Sequence, residues 1–238
     1  QYFPKNVMMN KMGYDSLDLV MEKGMVPLSV EEFEARANAE DALVLDTRHQ
    51  QKYAAGHIPR SIFIGIDGGF ATWVGTLIVD LKQPILIVAD PGREEEVITR
   101  LARVGYDNTL GYLKGGFEAW TTAGKETDQV ESILATEFKE RLVSSNATIL
   151  DVRKPGEFSS EHMDGAKTYP LDYINQNFND LDTDQSYFIH CLGGYRSMIT
   201  ASILKARGIH QVVDIQKGIR AIKEAGIPMT DFVCPTTL

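Results

Sequence analysis

Cysteine is almost missing from this chain. Its 238 residues carry two, Cys191 and Cys234, 43 positions apart. So sparse a pair is no disulfide framework, and it suits a reducing, cytoplasmic setting. Histidine is scarce too: there are five, none in a His-x-His-x-Asp-His run, so no metal site is expected and no cofactor is implied. No apolar run approaches the roughly 20 residues that span a bilayer, and the opening QYFPKNVMMNKMGYDSLD lacks a signal-peptide pattern, so no membrane partner is expected. Positive charge is in deficit. A net charge of −9 argues against a nucleic-acid partner, which would need a basic face. What remains, 43% hydrophobic and 24% charged residues, is an ordinary globular profile with enough chain for one or two cores. Because the chain opens on Gln1, it is expected to be a piece of something longer.

Self-similarity organises the rest. ALVLDTRHQQKYAAGHIPRS at 42–61 aligns with ATILDVRKPGEFSSEHMDGA at 147–166, at an offset of 105. Asp46 falls on Asp151, Arg48 on Arg153, Tyr53 on Phe158 and His57 on His162. LKGGFEAWTTAG at 113–124 lies over IQKGIRAIKEAG at 215–226, at an offset of 102. The pattern predicts an extended lead or linker over 1–25, one domain over 26–127 and another over 128–238. Within each, short apolar runs (ALVLDT, PILIVA; ATILDV, YFIHC, QVVDI) alternate with helical segments (EEVITRLARVG; SMITASILKARG). In the latter Met198, Ile199, Ile203 and Ala206 recur at helical spacing, and Gly208 is the expected stop. Strands alternating with helices predict an α/β fold, each domain a mostly parallel sheet with helices on both faces. Function in such sheets collects just past the carboxyl ends of strands.

Cys191 sits at such a place, in FIHCLGGYRSM. Gly193 and Gly194 permit a tight turn and close backbone approach. If the loop curls round the sulfur, its successive amide N–H groups point inward and form an anion-binding concavity. Ser197 is the expected helix N-cap, and Arg196 adds a permanent charge. Together these favour a thiolate at Cys191, nucleophilic without a general base and open to solvent. His190 is not that base, because adjacent strand residues face opposite sides. Cys234, near the end of the chain, is read as incidental.

These residues resemble the rhodanese sulfurtransferases. HCLGGYRS is similar to that family's Cys-x-x-Gly-x-Arg loop, LDVRKPGEF…EHMDGA and LDTRHQQKYAAGHIPRS to its early signature, and LKGGFEAW to its late motif, in order over about 26–227. The resemblance implies tandem rhodanese-like domains in which Cys191 carries a persulfide between a small-molecule sulfur donor and a thiol acceptor. Leu192, Gly193, Gly194, Tyr195 and Ser197 would line the substrate site, and Arg196 would recognise an anionic donor. QYFPKNVMMNKMGYDSLDLVMEKG further resembles the connector to an upstream metallo-β-lactamase-type domain in bacterial fusion proteins.

In the first repeat Ala89 falls on Cys191, Gly92 on Gly194 and Glu94 on Arg196, so that loop is expected to be inactive, with Asp90 and Pro91 capping its helix. Asp46, Arg48, Asp151, Arg153 and Glu157 are expected to form structural ion pairs and turns. His57 and His162 are expected in turns, and Trp73 and Trp120 in cores. Two other functions compete: a Cys-x5-Arg phosphatase, disfavoured because only four residues separate Cys191 from Arg196, and a non-catalytic interaction or redox-sensing module.

Overall fold

The structure is a computed structural model that describes residues 17–234. The chain divides between Asp128 and Gln129 into two compact units. In the first, helices α1 (Leu17–Gly24), α2 (Val30–Ala39), α3 (Gln50–Ala55), α4 (Phe70–Leu77), α5 (Glu94–Ala102) and α6 (Gly116–Thr122) alternate with strands β1 (Pro27–Leu28), β2 (Leu43–Asp46), β3 (Ile62–Phe63), β4 (Ile85–Val88) and β5 (Thr109–Leu113). The second carries β6 (Glu131–Ile133), α7 (Ala135–Leu142), β7 (Thr148–Asp151), α8 (Pro155–Ser160), β8 (Lys167–Thr168), α9 (Ile174–Asn177), β9 (Tyr187–His190), α10 (Tyr195–Ala206), β10 (Val212–Ile215) and α11 (Gly218–Glu224).

Each unit is built on a five-stranded sheet, in the orders β1-β5-β4-β2-β3 and β6-β10-β9-β7-β8, and the neighbouring strands of both sheets pair in parallel. Parallel sheets are covered on both faces, so their strands read as unbroken apolar runs. Ile85–Val88 and Tyr187–His190 are buried at every position. The two sheets also match bond for bond. Ile64 donates to the Asp46 carbonyl as Tyr169 does to Asp151, and Thr47 donates to Val88 as Val152 does to His190.

The expected structural pairs are present. Arg48 grips Asp46, and Arg153 grips Asp151, each with a shortest contact of 2.6 Å and all four residues buried. The same guanidinium groups donate at 2.8 Å to the Gly56 and Glu161 carbonyls, tying each strand end to the end of the following helix. His57 and His162 stack on Tyr53 and Phe158, with Nδ1 within 2.9 and 2.8 Å of those residues' carbonyls. Trp73 and Trp120 are buried.

The lead differs from its expectation. Residues 1–16 lie outside the described residues, but Leu17–Gly24 is helical rather than extended and packs on β5 and α5 with Val20 buried. An apolar face against the sheet supplies what an isolated eight-residue helix lacks.

Candidate active site

The site grows from the end of β9. Register with β7 pairs Asp151 with His190, so the next residue, Cys191, emerges at the carboxyl edge of the sheet. Gly194 adopts φ +98°, a left-handed conformation that costs glycine nothing and folds the chain back. Its amide donates to Cys191 Sγ at 3.1 Å. Helix α10 starts at once, with Gly194 as its N-cap. From the other side, α11 presses against the loop: Ile219 N–H donates to the Cys191 carbonyl at 2.8 Å. That approach demands glycine at 218, where φ is +58° and a Cβ would stand 2.1 Å from the Cys191 oxygen.

Enclosure follows from this geometry and corrects the expected exposure. Cys191 is only 1% exposed, because Gly194 closes over the sulfur while the turn at Gly218 backs the carbonyl. The exposed part of the loop is Leu192 and Gly193, and Gly193 has open space where a Cβ would stand. Tyr195 and Arg196 are half-buried at the start of α10.

Arg196 does not project freely. Its guanidinium makes a two-point contact with Glu157 of α8, at 2.7 and 2.9 Å. Burial pushes Arg196 down, but the hydrogen bonds and charge of Glu157, with smaller contributions from its other neighbours, outweigh it and hold the guanidinium above its ordinary value. Reciprocally, hydrogen bonds from Arg196 hold the Glu157 carboxyl below the usual carboxylate range against burial. The ion pair and turn hydrogen bond expected at Glu157 are both present: besides pairing with Arg196, its carboxylate accepts from Lys154 N–H at 3.1 Å.

Ser197 requires a correction as well. It lies within α10 rather than at the cap, fully buried, and its hydroxyl donates at 2.6 Å to Asp214 Oδ1. Ser132 donates to Asp214 Oδ2 at 2.8 Å. Burial pushes Asp214 up to about 6 against these two donors. Ser197 therefore ties α10 to β10 and does not turn toward the sulfur. An aspartate inside the apolar run QVVDI was the available signal for that contact.

His190, which was not expected to act as a base, lies behind the loop on β9. It is fully buried with its Nε2 3.9 Å from Asp151 Oδ2, and neither ring nitrogen has a hydrogen-bond partner. Burial lowers its affinity for a proton, which favours neutral imidazole. Cys234 is exposed. Among the described residues no group of three or more His, Cys, Asp or Glu side chains could hold a metal, and no helix is long and apolar enough to cross a membrane.

The first unit repeats the scaffold with the chemistry inverted. Gly92 has φ +86°, matching Gly194, and a Cβ on Gly116 would stand 3.0 Å from the Ala89 oxygen, matching Gly218 at Cys191. Yet the Gly92 amide donates at 2.8 Å to the Glu94 carboxylate. The loop thus holds an anion of its own. Lys52, at the place of Glu157, pairs with Asp90 at 2.8 Å. Asp90 is not the cap it was expected to be: α5 begins at Glu94 with Arg93 at its N-cap, and Asp90 accepts from Arg93 N–H in the preceding turn.

Comparison with known proteins identifies the domain in each half. The family model described as the rhodanese-like domain matches the chain over residues 29–123 and again over 134–225. The putative sulfur carrier protein YrkF of Bacillus subtilis is 27% identical over 99 residues, covering 41% of this chain and 54% of that protein. A sulfurtransferase of Allochromatium vinosum is 26% identical over 101 residues, 42% of this chain and 94% of its own. The crystal structure of a rhodanese-like domain protein from Staphylococcus aureus is 32% identical, covering 43% of this chain and all of that one, with a TM-score of 0.39. With a parallel α/β unit and a matching domain in each half, the chain belongs to the rhodanese-like domain family twice over.

Proposed function

We propose that the second unit is a sulfurtransferase moving a sulfane sulfur from thiosulfate or a low-molecular-weight persulfide to a thiol acceptor, with Cys191 as the carrier. The observation that carries this reading is the Gly194 amide donated to Cys191 Sγ at 3.1 Å, because a backbone dipole aimed at sulfur favours negative charge on it. The names of the relatives, a sulfur carrier and a sulfurtransferase, support it. In the first step the Cys191 thiolate attacks the outer sulfur of the donor, and the departing group leaves with the electron pair of the broken S–S or S–S(O) bond. In the second an acceptor thiolate attacks the same outer sulfur and Cys191 departs as thiolate. Neither step needs a metal or an outside oxidant.

Because Cys191 is enclosed, loading requires the loop around it to open; Leu192 and Gly193 of that loop are exposed, and Gly193 has open space where a Cβ would stand. The same enclosure favours one other reading, a tandem interaction module whose cysteine never turns over. Intact mass after incubation with thiosulfate or glutathione persulfide separates the two. Gain of one sulfur atom, abolished in Cys191→Ser, supports transfer. No adduct with any donor leaves the interaction module, and hydrolysis of an aryl phosphate instead would make the protein a phosphatase. The first unit, in this reading, is structural or a docking surface. The transferase operates in a reducing cytoplasm of a bacterium and serves a metallo-β-lactamase-type persulfide-processing domain fused upstream. Finding the full-length chain without such a domain would remove that last element alone.

A further inference from the structure

Asp172 stands just beyond the carboxyl edge of the second sheet. Leu171 N–H donates to the Val152 carbonyl at 3.2 Å, and Val152 N–H donates to the His190 carbonyl at 3.0 Å. A single residue, Val152, thus joins the neighbours of Asp172 and of Cys191. The Oδ2 of Asp172 is buried and has no hydrogen-bond partner. A buried carboxylate oxygen without a donor is costly, and a ligand N–H is one way to satisfy it.

The first unit shows what that position reaches. Ile66 N–H donates to Thr47 as Leu171 does to Val152, so Asp67 takes the place of Asp172. Asp67 accepts from Arg93 Nη1 at 2.8 Å, and Arg93 lies in the loop where the second unit has Tyr195. The carboxylate is kept in both units. The internal cation is kept only in the inactive one.

Charge at the site points the same way. Arg196 is already matched by Glu157, so it does not present an unbalanced cation to a doubly charged donor. Lys217 is exposed, and its backbone nitrogen lies 3.5 Å from where a Gly194 Cβ would stand. A carboxylate oxygen without a donor at the rim, a matched Arg196 and an exposed lysine on the adjoining turn suit a zwitterion better than the thiosulfate dianion.

We propose that Asp172 determines donor specificity: its free oxygen takes the ammonium of an amino-acid-type persulfide, as Asp67 takes the guanidinium of Arg93. This rests on the sulfurtransferase reading and narrows its donor to persulfides with a free α-amino group. The thiolate of Cys191 bonds to the outer sulfur of R–S–SH. The S–S bond of the donor breaks, R–S− leaves with its electron pair, and the proton stays on the new Cys191 persulfide or is released to solvent. No net oxidation occurs.

The test compares kcat/KM for loading by cysteine persulfide and by N-acetylcysteine persulfide, read by quenched-flow intact mass. The native protein prefers the free amine by about ten-fold, the scale of one charge-assisted hydrogen bond. Asp172→Ala brings the ratio of the two donors to near one, and Asp172→Asn, which keeps shape and removes charge, brings it part of the way. The Asn variant serves alone if Ala does not fold. A ratio unchanged in the variants, or a native protein with no preference, overturns the assignment and leaves the sulfurtransferase reading standing. Equal loss for both donors also overturns it, since that is the mark of a structural role. Failure of the native protein to load from either donor overturns both.

Discussion

Glu157 of α8 and Arg196 of α10 are joined by two hydrogen bonds at 2.7 and 2.9 Å, although 39 residues separate them in the chain. At the corresponding positions the first unit carries the opposite charges, Lys52 and Glu94. Across this one pair of positions the signs are exchanged: the unit with a cysteine has arginine after its loop and glutamate on the facing helix, and the unit without one has glutamate and lysine there.

That inversion can be transplanted. Arg196→Glu places two carboxylates face to face and is expected to cost about 2 kcal/mol, between the values for exposed and buried pairs. It should also slow sulfur loading by about 100-fold, the scale of losing one anion-stabilising group. Adding Glu157→Lys should recover most of the stability but none of the loading. Urea unfolding and adduct mass read the two effects separately. If the swapped pair loads at the native rate, the sign of the charge at 196 is irrelevant to the chemistry.

Gly218 offers a test of the loop's backing. A Cβ there meets the Cys191 oxygen at 2.1 Å in a left-handed backbone, whereas Gly165, also left-handed at φ +81°, has nothing within 4 Å. Gly165→Ala should cost about 1 kcal/mol from backbone conformation alone. Gly218→Ala adds a backbone collision and should cost about 3 kcal/mol or more, with loss of loading, because the chain must move exactly where the sulfur is held. Equal destabilisation in thermal melts would show that the α11 contact does not support the loop.

Much of this was legible beforehand for a physical reason. Repeats expose themselves through the residues that make the scaffold, so the offsets of 105 and 102 located both sheets, the buried Asp–Arg pairs and the loop carrying Cys191. What stayed hidden depends on approach across distance. The grip of Glu157 on Arg196 joins two helices, and the close contact of Gly218 with Cys191 joins two turns. Enclosure of the sulfur arises from both sides at once, so no single stretch of sequence records it. Ser197 misled because serine before a helix is a common cap, but here the turn is made by Gly194 and the hydroxyl finds Asp214.

Two buried groups set opposite pH responses. Asp214 has a folded value of about 6, raised from 3.8, so the native state binds the extra proton between those values. Its contribution is full below pH ~4 and is lost as pH rises through ~6, and the ionised form then costs roughly 3 kcal/mol. His190 is shifted the other way, below its ordinary 6.5, so its contribution is present above that pH and falls away as pH drops. Asp214→Asn should therefore flatten the loss of stability between about pH 4 and 6. His190→Leu, which removes two buried nitrogens that make no side-chain hydrogen bond, should be neutral or stabilising at pH 7 and should reduce acid sensitivity. Urea denaturation from pH 4 to 8 checks both, and an unchanged profile in Asp214→Asn would show that this carboxyl is ionised throughout.

Restoring a thiol to the first unit tests whether the loop or the cysteine makes the site. Ala89 is buried at the end of β4 in the place of Cys191, and its loop keeps the left-handed glycine at 92 and the close glycine at 116. The Gly92 amide, however, already donates to Glu94, whose negative charge opposes an anion on a neighbouring sulfur. In a Cys191→Ser background, Ala89→Cys alone is expected to take up no sulfur from cysteine persulfide. Ala89→Cys with Glu94→Arg frees the amide and reverses the charge, and should show a detectable adduct by intact mass, at a rate well below that of Cys191 because Lys52 cannot hold the new arginine as Glu157 holds Arg196. Loading by the single variant at a rate near that of Cys191 would mean that the scaffold suffices and that the electrostatics of the loop contribute little.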